Sequence, residues 1–249
     1  MSSISPRRLR IAGASLLLLL AWALAARIVD REIILPTPGA AVGYAAALLG
    51  RADAWSAIAS TLGRVLLSFA MNIVVSVILG VAAGFRRRLE DALVPVVAVM
   101  KSVPTMGVIL LSLIWFDSET AVLFVCTLIV FPVLYSAVLS GVHHIDSSLM
   151  EMHRVFRIGR SKMLRRFVLP SLRPHLVAGL SAGLGLSMKV IIAAEVLAQP
   201  GSGIGTMFQV ERARLNTVGV FAWSLLVILI TAGVDYAFAR LRRRYGSRG

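Results

Sequence analysis

Long apolar runs, punctuated by short clusters of arginine, dominate the chain. Val65–Phe85 contains no charged residue and stops at Arg86-Arg87-Arg88; Thr120–Val142 is likewise free of charge. A helix that crosses a bilayer needs about 20 mostly apolar residues. On that criterion the pattern predicts six crossings, at about 11–28, 63–85, 91–116, 119–142, 175–198 and 217–240. The charges set inside the later runs are Lys101, Lys189, Glu195 and Asp235. The expected fold is an all-α integral membrane protein, a single transmembrane domain covering residues 1–249.

The connections carry their own signals. Leu35-Pro36-Thr37-Pro38-Gly39 reads as a turn, because each proline fixes φ and removes a backbone donor. Ala40–Leu49 then predicts a short interfacial helix. Gly201-Ser202-Gly203-Ile204-Gly205 follows a membrane helix rather than a strand, so a tight turn back into the membrane is a better reading than a dinucleotide fingerprint. Gly179, Gly183 and Gly185 lie in the fifth run, and small residues at such spacing let helices approach closely. Either a neighbouring helix or a second copy of the chain satisfies that pattern.

Composition sharpens the picture. The 249 residues are 58% hydrophobic and 15% charged, against about 45–50% and about 25% in soluble domains. An ordinary water-soluble enzyme is thereby disfavoured, and disorder is excluded. The net charge is +14, which in a soluble protein would suggest nucleic acid. Here the basic residues sit between apolar runs and predict orientation instead. With the N-terminus inside, the inner segments hold 18 Lys and Arg (3 before the first run, 3 at 86–88, 7 in 143–173 and 5 in the tail) and the outer segments hold 6. Both termini are therefore expected to be cytoplasmic, with no nucleic-acid partner. The basic start, leucine run and Ala23-Leu24-Ala25 of the first crossing also fit a secretory signal. The lone cysteine, Cys126, lies in an apolar run and is expected to pack there.

No phosphate-binding G-x-x-x-x-G-K-[ST] motif and no G-x-S-x-G or H-E-x-x-H motif occurs, so no catalytic residue, metal site or cofactor is expected. His143-His144 with Asp146 reads as a polar turn rather than a metal site. The most informative stretch is the loop from His143 to Arg173, at 31 residues far longer than the usual connection. Leu149, Met152, Val155 and Phe156 repeat at helical spacing, as do Met163, Leu164, Phe167 and Val168; Gly159 divides the two pieces, Ser147 or Ser148 can cap the first, and Pro170 ends the second. Two short amphipathic helices are predicted. Their arginines suit anionic lipid headgroups, and their apolar face equally suits a groove on a partner protein.

Glu151-Met152-His153, then position 157, then Phe167-Val168-Leu169-Pro170 resembles the E-A-A loop, whose pattern is E-A-A, three residues, G, nine residues, I-x-L-P. That loop belongs to the membrane permeases of binding-protein-dependent ABC importers. Within them the chain is similar to the nitrate/sulfonate/taurine type, through Ile34-Leu35-Pro36-Thr37-Pro38, Lys101-Ser102-Val103-Pro104, Ile114-Trp115-Phe116, and Ala194-Glu195 followed by the glycine-rich turn. The resemblance runs from about residue 30 to the C-terminus. His153 stands where the pattern has alanine and Arg157 where it has glycine, with Gly159 two residues later. Asp117 and Leu110 also depart, from an expected glycine and proline. The resemblance implies a permease that binds no ATP itself and works with two cytoplasmic ATPase subunits, a second copy or a homologous permease, and an external substrate-binding protein. It further implies that 147–166 form a coupling helix, with Glu151, Met152, His153, Val155, Phe156, Arg157 and Gly159 at the ATPase contact. ATP-driven closure would rock the helices between two states.

The intramembrane charges point to a path. A Lys or Asp near a span's centre costs roughly 2.5–3.5 kcal/mol on insertion scales, so Lys101 and Lys189 should face protein or a wet cavity. Pro104 should kink its helix beside Lys101. Lys101, Pro104, Met106, Lys189 and Glu195 are therefore candidates to line a route for a small anion. The competing reading pairs Lys101 with Glu195 or Asp235 as structural ion pairs. Asp235 is expected to be structural, with Arg240 as a neighbour. A stand-alone secondary transporter or channel, with the same charges as an ion relay, is the alternative function.

Overall fold

The computed structural model describes the backbone of residues 6–145 and 169–246, and the regular structure there is helical. The elements are α1 (Pro6–Val29), α2 (Pro38–Leu49), α3 (Ala52–Phe85), α4 (Arg87–Ser102), α5 (Thr105–Trp115), α6 (Ser118–His143), α7 (Leu169–Ala198), α8 (Ile204–Ala213) and α9 (Thr217–Gly246). Among the described residues, α3, α6, α7 and α9 contain stretches long and apolar enough to span a membrane unbroken, and α4 with α5 make a bent pair. The apolar run of α1, Gly13–Val29, is shorter. Of the six predicted crossings, four are thus helices long and apolar enough to span unbroken, the third is a bent pair, and the first falls among the shorter apolar helices.

The third crossing differs most from expectation. Its proline does more than kink: α4 and α5 meet at 101°. Val103 (ψ 129°) and Pro104 (ψ 125°) are both extended. Proline has no N–H to continue the helix and disfavours the α conformation in the residue before it, so the two constraints act on adjacent residues.

The helix carrying the second crossing begins at Ala52 rather than near residue 63. Its 34 residues reach about 51 Å at 1.5 Å per residue, well beyond a hydrocarbon core of about 30 Å. The charge-free run Val65–Phe85 alone matches the core, so the first three turns project from it. α7 likewise begins early, at Leu169, which places Pro170 in a first turn, where its missing N–H costs nothing.

α6 is the centre of the bundle and packs most extensively against α7 and α3. Val122, Val125 and Val130 of α6, Ile109 of α5, Val65 of α3 and Ile191 and Ala194 of α7 are buried together. Close approach is set by small residues. A Cβ on Gly179 would lie 2.5 Å from Ala137 Cβ, and one on Gly183 2.8 Å from Leu134 Cδ2. Those two glycines therefore seat α7 on α6 within one chain, whereas Gly185 meets nothing within 4 Å. Cys126 is buried, as expected. α3 turns a polar stripe inward, with Thr61, Ser68, Asn72 and Ser76 fully buried at helical spacing. Asn72 donates to the Ser68 carbonyl at 2.8 Å, and Ser76 to the Phe131 carbonyl at 3.4 Å.

The predicted interfacial helix is present as α2. Thr37 caps it, its hydroxyl accepting from Ala40 N at 3.2 Å, and Pro38 occupies the first turn. α2 lies on α9. Trp22 of α1 reaches the same region, donating to the Pro36 carbonyl at 3.0 Å and stacking on Phe221 at 5.6 Å.

Candidate translocation surface and the ion pairs behind it

Lys101 occupies the last turn of α4, a favourable place for a cation. Its side chain is exposed and donates to Ser136 Oγ on α6 at 3.1 Å, while Ser136 donates in turn to the Pro132 carbonyl at 2.7 Å. Pro104 and Met106 are exposed just beyond the break. Lys189 is exposed on α7, between buried Met188 and Val190. No described hydrogen bond or ion pair joins Lys101 to Lys189, to Glu195 or to Asp235. The break thus presents a lysine, a proline and a methionine together, with Lys189 on a separate helix. Asp235 is exposed, and none of the described ion pairs joins it to Arg240.

Glu195 stands apart from these exposed residues. It is fully buried, and its partner is not Lys101 but Arg64, whose Nη1 donates at 2.6 Å. Thr61 Oγ1 donates to the same carboxylate at 2.8 Å and Gly205 N at 2.9 Å. Thr61 Oγ1 also accepts from Ile204 N at 2.8 Å. The first N–H groups of α8, which have no partner within their own helix, are therefore met by a carboxylate and a hydroxyl from α7 and α3. The helix dipole adds to the attraction. Arg64 turns its other edge to Glu119 in the first turn of α6, with Nε at 2.7 Å and Nη2 at 2.6 Å.

The glycine-rich turn makes this cluster possible. A Cβ on Gly203 would lie 2.7 Å from Glu195 Cδ, and one on Gly205 would lie 2.4 Å from Glu195 Cβ and 2.5 Å from the Ile192 carbonyl. The turn leads into α8 rather than directly back into a span. A second polar knot fastens α8 at its other end, where buried Glu211 accepts from Tyr44 Oη at 3.1 Å and Asn216 Nδ2 at 2.7 Å.

Sequence reasoning missed Arg64, Thr61 and Glu119. Arg64 directly precedes the charge-free run Val65–Phe85 and reads, from sequence, as one of the six outer basic residues. The available signal was periodic: Thr61, Ser68, Asn72 and Ser76 place polar groups on one face of a helix, and Arg64 falls on that face.

The residues of the amphipathic loop, Glu151, Met152, His153, Val155, Phe156, Arg157 and Gly159, lie outside the described residues. The stalks that lead to it are described. His143 Nε2 lies 3.3 Å from Glu90 Oε2, and the His144 ring packs 4.9 Å from that of His175. The end of α6 and the beginning of α7 are thus side by side, at the end of the bundle opposite Arg64. No cluster of three potential metal ligands occurs among the described residues.

Comparison with known proteins accounts for this architecture. Residues 72–247 match the family described as binding-protein-dependent transport system inner membrane component. The chain is 26% identical over 213 residues to a putative aliphatic sulfonates transport permease protein of Bacillus subtilis, covering 85% of this chain and 76% of that one. It is 25% identical over 242 residues to the taurine transport system permease protein of Escherichia coli, covering 95% and 88%. It is 31% identical over 150 residues to the nitrate import permease protein of Leptolyngbya laminosa, covering 59% and 53%. In structure it resembles a chain of the MetNI methionine ABC transporter in an inward-facing conformation, with a TM-score of 0.66 at 17% identity, over 76% of this chain and 96% of that one. The chain belongs to the family of inner membrane components of binding-protein-dependent transport systems, and is a multi-pass permease subunit of an ABC importer.

Proposed function

We propose that the chain forms half of a translocation path for a small anion in the inner membrane, with both termini cytoplasmic. The observation that carries the anion reading is Lys101, an exposed cation at the α4–α5 break within an otherwise apolar span. A cation at membrane depth needs a counter-charge or water, and the described partner of Lys101 is a neutral serine hydroxyl. That leaves the ammonium able to meet a passing oxyanion. Pro104 and Met106 border the same break, and Lys189 supplies a second cation from α7. Glu195 is assigned a different task, holding the path's wall in place from behind. The sulfonates and nitrate named for two of the relatives are anions that fit a lysine-lined route, and the taurine named for the third, a zwitterion, would present its sulfonate end to the same lysines.

In this reading two copies of the chain, or one with a homologous permease, sit on two cytoplasmic ATPase subunits that bind the ATP. The contact is made by the segment around Glu151, Met152, His153, Val155, Phe156, Arg157 and Gly159. Support for it is the spacing of the loop pattern and the adjacency of its two stalks, which would pass a push on the loop into α6 and α7 together. Orientation is supported by the arginine distribution, and by the removal of Arg64 from the outer loops.

The test is reconstitution of the chain in vesicles with its ATPase and binding protein, scored for uptake of the ligand that the binding protein retains. ATP-dependent uptake of an anion is expected. Uptake without any ATPase, or a ligand that carries no anionic group, refutes the proposal.

A further inference from the structure

We propose that Arg64 is a two-sided lock whose Glu119 side releases while its Glu195 side stays closed, so that the outer end of α6 parts from a fixed block of α3, α7 and α8. The two sides differ in every respect that sets the cost of opening. Glu195 is fully buried and held by three donors, Thr61 and Arg64 on α3 and Gly205 on α8. Opening that side would leave a buried carboxylate without its counter-charge and the Gly205 N–H at the start of α8 without its acceptor. Glu119 has 56% of its side chain exposed, and among the described residues Arg64 makes both of its side-chain hydrogen bonds.

Releasing Glu119 leaves it solvated and still in the first turn of α6, where the helix dipole favours a carboxylate. Arg64 remains neutralised by Glu195. No uncompensated charge is created on either side. Arg64 also adjoins the end of the charge-free run, at the edge of the hydrocarbon core, so water can reach the vacated guanidinium edge. The adjoining chain is suited to hinge motion: Phe116 and Asp117 are extended residues between α5 and α6, and α5 ends there.

The proposal rests on the importer reading only for the purpose of the motion, and its test needs no transport. Spin labels are placed on Ala59→Cys of α3 and Ser118→Cys of α6 in the full chain, in lipid nanodiscs, with labelled chain diluted into unlabelled chain so that intrachain distances dominate. Native Cys126 is buried and does not label. Glu119→Gln is expected to raise the longer-distance population about fivefold, the scale of one partly exposed ion pair, with the chain still folded. An unchanged distance distribution in Glu119→Gln overturns the lock. So does unfolding of Glu119→Gln, since a side that releases in the working cycle is not required for the fold. Failure of anion uptake with the expected distance shift would refute the anion reading and leave the lock standing.

Discussion

Glu195→Gln is the sharpest probe of the cluster behind the path, because the amide keeps the shape of the carboxylate and removes only its charge and one acceptor. In the native chain one oxygen accepts from Arg64 and Thr61, and the other from Thr61 and Gly205. With the amide oxygen on the Arg64 side, the NH2 faces Gly205 N, donor against donor. With the amide flipped, the NH2 faces the Arg64 guanidinium, which is worse. The better choice leaves one buried N–H unpaired, at about 1–3 kcal/mol, and turns an ion pair into a hydrogen bond from the charged guanidinium to a neutral amide oxygen, at about 1–1.5 kcal/mol. The sum, about 2–4.5 kcal/mol, overlaps the about 3–5 kcal/mol typical for breaking one side of a buried ion pair. For a chain of this size that lowers the melting temperature by on the order of 10 °C. Cys126 offers the assay: it is the sole cysteine and is fully buried, so a thiol-reactive dye reports unfolding during a thermal ramp in detergent. Glu119→Gln is the matched comparison, expected to cost under about 1 kcal/mol because its side chain is largely solvated. A melting temperature for Glu195→Gln within about 2 °C of the parent, on the same scale, would show that Glu195 does not hold this end of the bundle together.

Three further outcomes are expected. Lys101→Met should lower uptake of an anionic substrate by about tenfold or more, the scale of one lost charge contact, without moving the melting temperature; unchanged uptake removes Lys101 from the path. Glu151→Lys should weaken co-purification with the ATPase or uncouple ATP hydrolysis from uptake, and an intact, coupled complex refutes the coupling role. Gly205→Ala should destabilise by about 1–3 kcal/mol, because the added methyl meets Glu195 Cβ and the Ile192 carbonyl, whereas Gly201→Ala, with nothing within 4 Å, should be within about 0.5 kcal/mol of neutral; equal melting curves for the two contradict the packing described here.

What the sequence determined by itself was local in origin. Hydropathy is a sum over neighbouring residues, so the runs at Val65–Phe85 and Thr120–Val142 were legible as helices, as were the Thr37-Pro38 start of α2 and the interruption at Pro104. The family was legible too, because its loop pattern is a spacing along the chain. What only the tertiary structure decided was pairing. Arg64 and Glu195 are 131 residues apart, and nothing in either neighbourhood specifies the other; the pair exists because α3 and α7 both pack on α6 and bring one polar face of each together. The same holds for the glycine-rich turn, whose tightness is a demand of Glu195 and α8, and for the break at Pro104, whose 101° angle is set by where α5 finds its seat on α6 and α7. A proline states that a helix must stop, and a buried charge states that it must have a partner. Which direction the chain then takes, and which partner is met, follows from packing that only the assembled bundle contains.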